Sequence, residues 1–336
     1  MKIYVAFREA RGNIVNPKIR YEFPIKGAFK IFLEGDKIYT AHTDGLRIWS
    51  LEGELLKHIS VRDTRDADVR EGKIAIASIY EGIKLIGFEE SSIDENARLI
   101  SIGSGFIAYY TPKKELKRYD GESSRLIYRG SIDSLAAADE IAYAVGDSVY
   151  IDGNRYDLSA GGAKLATDGD RFFAGDEYGY VYILGSEKYK DHEAPIRCLS
   201  GSKDLIASVG NDIAIRLGGE VYRLRGKPKD IAIEGNLMAT LSGGVFKDRV
   251  IVYELFSPVE KPILLKLEAK RSVKDHKLLG ELIDHYKEKP IEVLKKAEEE
   301  GILIDLIASL VDLGLLEAFS EREFISKIPA EKIIER

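Results

Sequence analysis

The chain has 336 residues and a formal net charge of −6, with acidic and basic residues interspersed along its length. Hydrophobic residues make up 45% and charged residues 32%, which is typical of a globular protein with an ample core. The sequence has no apolar run near the roughly 20 residues that span a bilayer, no secretory signal and no broad basic footprint for nucleic acid. Cys198 is the only cysteine, so no disulfide can form within the chain, and a cytoplasmic location is expected.

The composition also resembles that of proteins from heat-adapted organisms. The chain has no glutamine, only two methionines and abundant Ile, Lys and Glu. Hyperthermophile proteins favour charged networks and avoid thermolabile side chains. The bias therefore predicts a thermophilic, archaeal source.

The first predicted elements, in chain order, are two strands without a sheet of their own. Lys2–Phe7 has strand character, but its pattern leaves its placement open. Lys18–Ile25 has the polar character of an outer strand. Both need partners from a distant part of the chain.

A unit of about 33 residues then recurs seven times. Each unit has a short strand, a tight turn, a second short strand rich in Ala and Ile, a polar turn, an alternating strand and a more polar fourth strand. Four strands joined by short turns form a β-meander. The second strands of the seven units begin at Ile38, Ile74, Phe106, Ile141, Arg171, Leu205 and Leu237.

Such a meander cannot cover both of its faces, and radial packing of several meanders solves that problem. We therefore predict a mainly β fold, a seven-bladed β-propeller of four-stranded antiparallel blades over residues 1–255, with a small all-α C-terminal domain. The last unit stops after its third strand, so Lys18–Ile25 is predicted to complete that blade and close the ring. Six blades, with one irregular copy, and eight blades, using Lys2–Phe7, remain as alternatives.

The segments Leu205–Leu217 and Thr43–Trp49 resemble WD-repeat proteins, and the resemblance covers about 240 residues. Only Trp49 keeps the family's tryptophan, and no blade keeps the full glycine-histidine and tryptophan-aspartate pairs. The resemblance implies a hydrogen-bond network between a turn aspartate and a histidine, for which His192 and Asp212 are the candidates. It also implies that the turns between second and third strands share one rim with the connections between blades, and that this rim binds partners.

The pattern changes after residue 255. Residues 256–271 contain Pro258 and Pro262 and are predicted to be a linker, and 272–336 are predicted to form an acidic helical domain. Helices are expected near Ser272, from Pro290, over 302–313 and, after a cap at Ser320, over 322–328.

This order of helices resembles a winged-helix or helix-turn-helix unit. Its third helix offers Asp305 and Asp312 and no Lys or Arg. Phosphate contacts need cations and base reading favours Arg, Lys, Asn or Gln, so DNA binding by this domain is not expected.

Catalytic and metal chemistry have little support in the sequence. Asp168, Asp170, Asp176 and Glu177 suggest a metal site, but they fall at predicted turns, where Asp is favoured for backbone reasons. The histidines lack metal-ligand spacing, and no nucleophile or phosphate-binding motif is present. Cys198 fits a buried hydrophobic position in a strand. The sequence predicts no catalytic residue, no metal and no cofactor.

The favoured function is a non-catalytic scaffold that uses the rim and the C-terminal helices to assemble a multiprotein complex. One alternative is a subunit of a nucleic-acid-associated complex, and another is a propeller hydrolase, which needs polar innermost strands where most of these are apolar or small. The predicted partner-binding residues are aromatics and cations at or near turns: Arg65, Tyr80, Lys113, Lys114, Tyr178, Phe246 and Lys247. The nucleic-acid alternative would use a local basic edge formed by Arg62, Arg65, Arg70, Lys113, Lys114, Lys117 and Arg118.

Overall fold

Short apolar strands and tight turns build seven small antiparallel sheets in the computed structural model of the chain. The structure describes residues 2–203, 205–243, 248–268, 276–286, 289–312 and 317–319, with the backbone alone described for 2–16, 257–268, 276, 290–291, 312 and 317–319. The chain divides into two units, Val15–Phe256 on the one hand and Met1–Ile14 with Ser257–Arg336 on the other.

Six of the sheets are formed by four consecutive strands each, named A to D in chain order, and β1 (Lys2–Ile25) precedes them all. Blade 1 comprises β2 (Ala28–Glu34), β3 (Lys37–His42), β4 (Gly45–Ser50) and β5 (Leu55–Ser60). Blade 2 comprises β6 (Thr64–Arg70), β7 (Lys73–Ser78), β8 (Ile83–Ile86) and β9 (Ser92–Ile93). Blade 3 comprises β10 (Leu99–Gly103), β11 (Phe106–Tyr110), β12 (Glu115–Tyr119) and β13 (Ser124–Arg129).

The next three blades repeat this order. Blade 4 comprises β14 (Ser134–Ala137), β15 (Ile141–Val145), β16 (Ser148–Ile151) and β17 (Asn154–Asp157). Blade 5 comprises β18 (Lys164–Thr167), β19 (Phe172–Gly175), β20 (Tyr180–Ile183) and β21 (Glu187–Lys190). Blade 6 comprises β22 (Cys198–Ser202), β23 (Leu205–Val209), β24 (Ile213–Leu217) and β25 (Glu220–Leu224).

Blade 7 joins the two ends of the propeller. Its strands are β26 (Asp230–Glu234), β27 (Leu237–Gly243), β28 (Asp248–Glu268) and, as strand D, β1. Phe23 and Ile25 of β1 are buried in one core cluster with Val250 and Val252 of β28. In this sheet β1 follows β28, at the place that the sequence predicts for Lys18–Ile25. The six-blade and eight-blade alternatives are wrong because the described residues form seven sheets.

The structure differs from the sequence-based prediction where two strands, β1 and β28, extend beyond the blades. β28 continues to Glu268, through most of the range 256–271 predicted as a linker, and in the sheet it lies beside β1. The beginning of β1, including Lys2–Phe7, pairs with a short strand, β29 (Glu317–Phe319), through Tyr4↔Phe319 and Ala6↔Glu317. The prolines and the local composition predicted a linker. The strand was missed because its partners are distant in sequence.

In the described part of the chain, three helices follow β28. They are α1 (His276–Tyr286), α2 (Pro290–Glu300) and α3 (Leu303–Asp312). Pro290 is the first residue of α2 and Gly301, at φ 77°, caps its end, as the sequence predicts. The predicted caps Ser272 and Ser320 and the helix over 322–328 lie outside the described residues.

The three helices enclose a core of their own. It is formed by apolar residues that recur at helical spacing, among them Leu282, Leu294, Leu306 and Leu310. Among the described residues, no helix has the length and apolar character needed to cross a bilayer.

The innermost strands of neighbouring blades are joined by a repeated hydrogen bond. Strand A of each blade has a free edge, and an unpaired backbone N–H there is costly unless a partner is found. In most blades a short polar side chain accepts a hydrogen bond from a backbone N–H of the next blade. The acceptor and donor pairs are Asp66 with Ile100 (3.0 Å), Ser101 with Ala137 (3.0 Å), Ser134 with Leu165 (3.1 Å), Ser200 with Ile233 (3.1 Å) and Asp230 with Ile31 (2.9 Å).

Candidate functional site

One rim of the propeller collects the B–C turns and the D–A connections between blades, because strand A begins where strand B ends. We name it the BC rim, and the opposite rim, with the A–B and C–D turns, the AB rim. Backbone hydrogen bonds join the two kinds of connection on the BC rim. In blade 3 the Gly130 N–H donates to the Lys114 carbonyl at 2.9 Å, and in blade 5 the Ile196 N–H donates to Asp176 at 3.0 Å. The BC rim is therefore a continuous surface on a rigid support.

The structure places the described members of the predicted partner-binding set on the BC rim. Tyr80 and Tyr178 lie in the B–C turns of blades 2 and 5 and are 65% and 61% exposed. Lys113 and Lys114 form the B–C turn of blade 3, and Arg65 is an exposed residue at the start of β6. Phe246 and Lys247 lie outside the described residues.

The turns that present these residues are held by local hydrogen bonds. Asp176 is fully buried, and its carboxylate accepts hydrogen bonds from the Tyr178 N–H at 3.0 Å and from the Tyr182 hydroxyl at 2.7 Å. Lys114 has a φ of 62°, and its N–H donates to Thr111 at 3.0 Å. Fixed turns lower the entropy that a binding surface loses when it meets a partner.

The carboxylates considered for a metal site have other roles. Asp168 forms a two-point ion pair with Arg171, with oxygen–nitrogen distances of 2.7 and 3.0 Å. Asp176 organises its own turn, as described above. Among the described residues, no group of three or more His, Cys, Asp or Glu side chains is arranged to hold a metal ion.

Blade 1 contains a hydrogen-bonded chain from the core to the BC rim. The Trp49 indole N–H donates to the Thr40 hydroxyl at 2.8 Å, and that hydroxyl lies 2.8 Å from His42 Nε2. Arg47 donates to His42 Nδ1 at 2.5 Å and pairs with Asp44 at 2.7 Å. Burial first, and then the Arg47 charge, lower the pKa of His42 to about 4, so the imidazole is neutral and donates from Nε2.

Blade 6 contains the predicted pair. His192 Nδ1 lies 3.0 Å from the Asp212 carboxylate, but its geometry does not make a hydrogen bond with any of the described residues. His192 Nε2 lies 2.9 Å from the Ser208 hydroxyl. The two predicted residues are therefore close together, without the predicted hydrogen bond between them. Burial lowers the pKa of His192. Arg216 occupies the place that Trp49 has in blade 1, because it faces Ile206 across the sheet, two residues before Ser208. Sequence reasoning missed this exchange of an indole for a guanidinium.

Arg216 is nearly fully buried, and its Nη1 donates to the Gly218 carbonyl at 3.4 Å. Its guanidinium forms a two-point ion pair with buried Asp191, with Nε 3.2 Å from Oδ2, and lies 3.6 Å from the centroid of the Tyr189 ring. The pair therefore links the D–A connection that precedes blade 6 to strand C of that blade.

Three ionisable side chains that sequence reasoning missed line the central channel: Lys30, Asp68 and Asp230. Apart from these, residues of all seven A strands line about 230 Å³ of space with mostly apolar or small side chains. The Lys30 ammonium lies 2.8 Å from the nearby Asp66 carboxylate, and Asp68 accepts hydrogen bonds from Ser101 at 3.0 Å and from the Ile102 N–H at 2.7 Å. These carboxylates have hydrogen-bond partners from the neighbouring blade, so their arrangement is that of structural links.

Burial controls the protonation of the channel carboxylates. It raises the pKa of Asp230 to about 6, against the opposing effects of the Ile31 N–H and Lys30, and it also raises the pKa of Asp68. Folded Asp230 therefore retains a proton between about pH 4 and 6 that the unfolded chain has released, so its contribution to stability falls as the pH rises through that window.

We expect Asp230→Asn to remove this loss. An amide oxygen still accepts the Ile31 hydrogen bond but carries no charge to desolvate. The difference in unfolding free energy, wild type minus variant, is expected to fall by about 2 kcal/mol between pH 4 and pH 6.5. Urea unfolding of both proteins across this range measures it, and a constant difference contradicts the expectation.

The basic edge considered for nucleic acid does not form as one surface. Arg70 lies at the opposite end of β6 from Arg65, and it donates to the backbone carbonyls of Ile102 and Ala137. Lys117 pairs with Glu95, and Arg118 pairs with Asp120 at 2.5 Å. These three cations have roles inside and between blades.

The two rims differ in charge. In the described A–B and C–D turns, Arg171 and Lys203 are the cations, and carboxylates prevail: Asp36, Glu52, Glu54, Glu71, Glu89, Glu90, Asp120, Glu122, Asp139, Glu140, Asp152, Asp168 and Asp170. The BC rim carries both signs, and its cations include Arg62, Lys113, Lys114, Arg225 and Lys227. An acidic partner is therefore expected to prefer the BC rim to the AB rim.

Comparison with solved structures defines the class of fold. The chain is similar to the WD40 β-propeller domain of Doa1, with a TM-score of 0.54 and 13% identity over 70% of this chain and 96% of that one. It is also similar to the computationally designed Ika8 protein, with a TM-score of 0.52 and 13% identity over 70% of this chain and 99% of that one. No protein-family model matches the sequence, and no curated protein is significantly similar to it. The chain thus has a seven-bladed β-propeller fold of the kind that WD40 domains adopt.

Proposed function

We propose that this protein is a non-catalytic scaffold that binds a protein partner on the BC rim. The observation that carries the proposal is the placement of exposed Tyr80 and Tyr178 on fixed turns of the rim that also carries Lys113 and Lys114. Large aromatics on a rigid support supply contact area at low entropic cost, and they are enriched where proteins meet.

The channel supports a binding role over a catalytic one. A hydrolase needs carboxylates that are free to reach a substrate. The Asp66, Asp68 and Asp230 carboxylates accept hydrogen bonds from backbone N–H groups of the neighbouring blade, so the fold itself uses them.

The C-terminal helices are proposed to recruit a second protein. α3 buries Leu306 and Leu310 in the helical core, while Ile304 and Val311 are 38% and 42% exposed. An apolar helix face of this kind favours protein contact, and the acidic character of the domain disfavours DNA.

Capture of partners from an extract of the source cells tests the proposal. The wild-type chain is expected to retain a defined protein, identified by cross-linking and mass spectrometry. The amount of this protein retained by Tyr80→Ala with Tyr178→Ala is expected to be at least about tenfold lower, since each aromatic anchor contributes more than about 1 kcal/mol to binding. Leu55→Ala with Leu126→Ala is the matched control, because both leucines are 49% exposed on outermost strands. Equal retention by both double variants, or no retained protein with the wild type, contradicts the proposal.

A further inference from the structure

A set of cations stands at the entrance of the central channel, one at the start of the innermost strand in each of five blades. We name this set the cation ring. Its members are Arg65, Arg98, Lys164, Arg197 and Lys229. All five are exposed. The ring lies on the BC rim because that is where the A strands begin.

Three members of the ring occupy one position of the repeat. The N–H groups of Arg98, Arg197 and Lys229 each donate, at 2.7 Å, to the carbonyl of the residue that ends the regular A–B pairing: Tyr110, Val209 and Leu241. In blade 4 the equivalent residue is Asp133, whose carboxylate accepts a hydrogen bond from the Gly146 N–H at 3.0 Å. Arg65 and Lys164 lie just inside their strands instead, Arg65 at a β-bulge and Lys164 opposite Gly175.

Four of the five ring cations have no ion-pair partner among the described residues. Within the described part of the chain, Arg65, Arg98, Lys164 and Arg197 have no carboxylate in ion-pair distance, whereas Lys229 pairs with Asp248 at 2.6 Å. Like charges placed around one opening repel each other, and that repulsion opposes folding. Folding does not require this arrangement of cations. A ligand with negative charge would reduce the repulsion between them.

Two members of the ring belong to adjacent blades. Lys164 begins β18 and Arg197 immediately precedes β22, the innermost strands of blades 5 and 6. Burial raises the pKa of the Cys198 thiol at the start of β22, and the smaller effects of both cations oppose that rise.

We propose that the cation ring binds an acidic polypeptide segment of the partner, at the entrance of the channel. This rests on the proposed function and names the chemistry of its partner. Exposed carboxylates of Asp133 and Glu193 interrupt the cations on the same rim. A nucleic-acid strand carries one phosphate per nucleotide, so some of its phosphates would be repelled by these carboxylates. A short peptide with spaced acidic residues can place its charges beside the cations and away from the carboxylates.

Binding of a labelled peptide tests the inference on the full-length chain. The probe is a fluorescein-labelled Glu-Gly repeat peptide, with a Gln-Gly repeat of equal length as the neutral probe, followed by fluorescence anisotropy at low salt. We expect the acidic probe alone to bind, and the affinity to fall as salt is raised. Arg98→Glu with Arg197→Glu is expected to weaken binding at least about tenfold.

The matched control is Lys57→Glu with Arg125→Glu, which changes the net charge equally at exposed residues of the outermost strands β5 and β13. It is expected to stay within about twofold of wild type, since these charges lie far from the ring and are screened. Arg65→Glu with Lys164→Glu, in other blades, repeats the test should the first pair fail to fold as judged by its melting curve.

Three outcomes overturn the inference: no binding of the acidic probe by the wild type, equal losses in ring and control variants, or tighter binding of an oligothymidylate of equal length, which assigns the ring to nucleic acid. If Arg98→Glu with Arg197→Glu still captures the partner protein, the acidic-segment inference fails and the proposed function stands. If the wild type captures no protein, the proposed function fails whatever the peptide result.

Discussion

Arg216→Met is expected to lower the free energy of unfolding of the propeller by about 3–5 kcal/mol, because it leaves the buried Asp191 carboxylate without its partner. Methionine preserves most of the side-chain volume, so the cost arises from the uncompensated charge and from the lost contact with the Tyr189 ring. For a domain of this size the melting temperature is expected to fall by about 10 °C. Differential scanning calorimetry of the variant beside the wild type measures it.

Two further variants separate the charge from the packing. Asp191→Leu together with Arg216→Met removes both charges, and it is expected to recover most of the lost stability, since apolar replacements of buried ion pairs are often neutral or stabilising. Arg155→Met breaks an exposed ion pair with Asp157 and is expected to leave the melting temperature nearly unchanged. A loss in Arg216→Met no larger than that in Arg155→Met contradicts the role assigned to the buried pair.

Phe23→Ala is expected to cost about 3–5 kcal/mol, because Phe23 holds the strand that closes the ring. Its side chain is 6% exposed, packs against Trp49 with ring centroids 5.7 Å apart, and belongs to a core cluster with residues of blades 1 and 7. Gly53 packs against the phenyl ring of Phe23 at a φ of 94°. A Cβ at this position would fall 2.4 Å from the Phe23 Cγ, so the turn that contains Gly53 leaves room for the phenyl ring only because it has no side chain there.

Leu126→Ala is the matched control for Phe23→Ala. Leu126 also lies on an outermost strand, in blade 3, but it is 49% exposed, and we expect its replacement to cost less than about 1 kcal/mol. Equilibrium unfolding in guanidinium chloride compares the three proteins. If Phe23→Ala costs no more than Leu126→Ala, the strand does not contribute to the closed ring as the structure implies.

The blades were predictable because their signal is local. Each blade repeats a short Ala- and Ile-rich strand and a polar turn, as in Ile38–His42 of β3 and Leu205–Val209 of β23, and short-range patterns report meanders well. Closure by Lys18–Ile25 was also predictable, because the last unit lacks a fourth strand and that segment lacks a sheet.

The unpredicted features depend on distant partners. Asp230 accepts from Ile31 and Glu22 pairs with Arg249 at 2.6 Å, each across nearly the whole propeller sequence, so no local pattern reveals them. The pairing of Tyr4 with Phe319 is likewise invisible in either segment alone. Sequence periodicity shows which residues share a face but not which blade they meet.

In the candidate site, too, the residues with a local signal were predictable and those that depend on distant parts of the chain were not. Tyr80, Tyr178 and the turn of Lys113 and Lys114 were predictable as rim residues, because turn chemistry places them between strands B and C. Of the cation ring only Arg65 was predicted as a binding residue, because the members are single residues spread over five repeats. Alignment of the seven units at the start of strand A brings Arg98 and Arg197 to one position, and that alignment depends on the register of the A–B pairs.

Hydrogen exchange of the wild-type chain tests ring closure most directly. If β1 completes blade 7, the backbone amides of Tyr21–Ile25 that are bonded in the sheet exchange only through global unfolding, with the same opening free energy as those of Leu205–Val209 in blade 6. Mass spectrometry of peptic fragments under native conditions measures both segments in one experiment. Rapid exchange of Tyr21–Ile25 beside full protection of Leu205–Val209 would show an open ring and contradict the account.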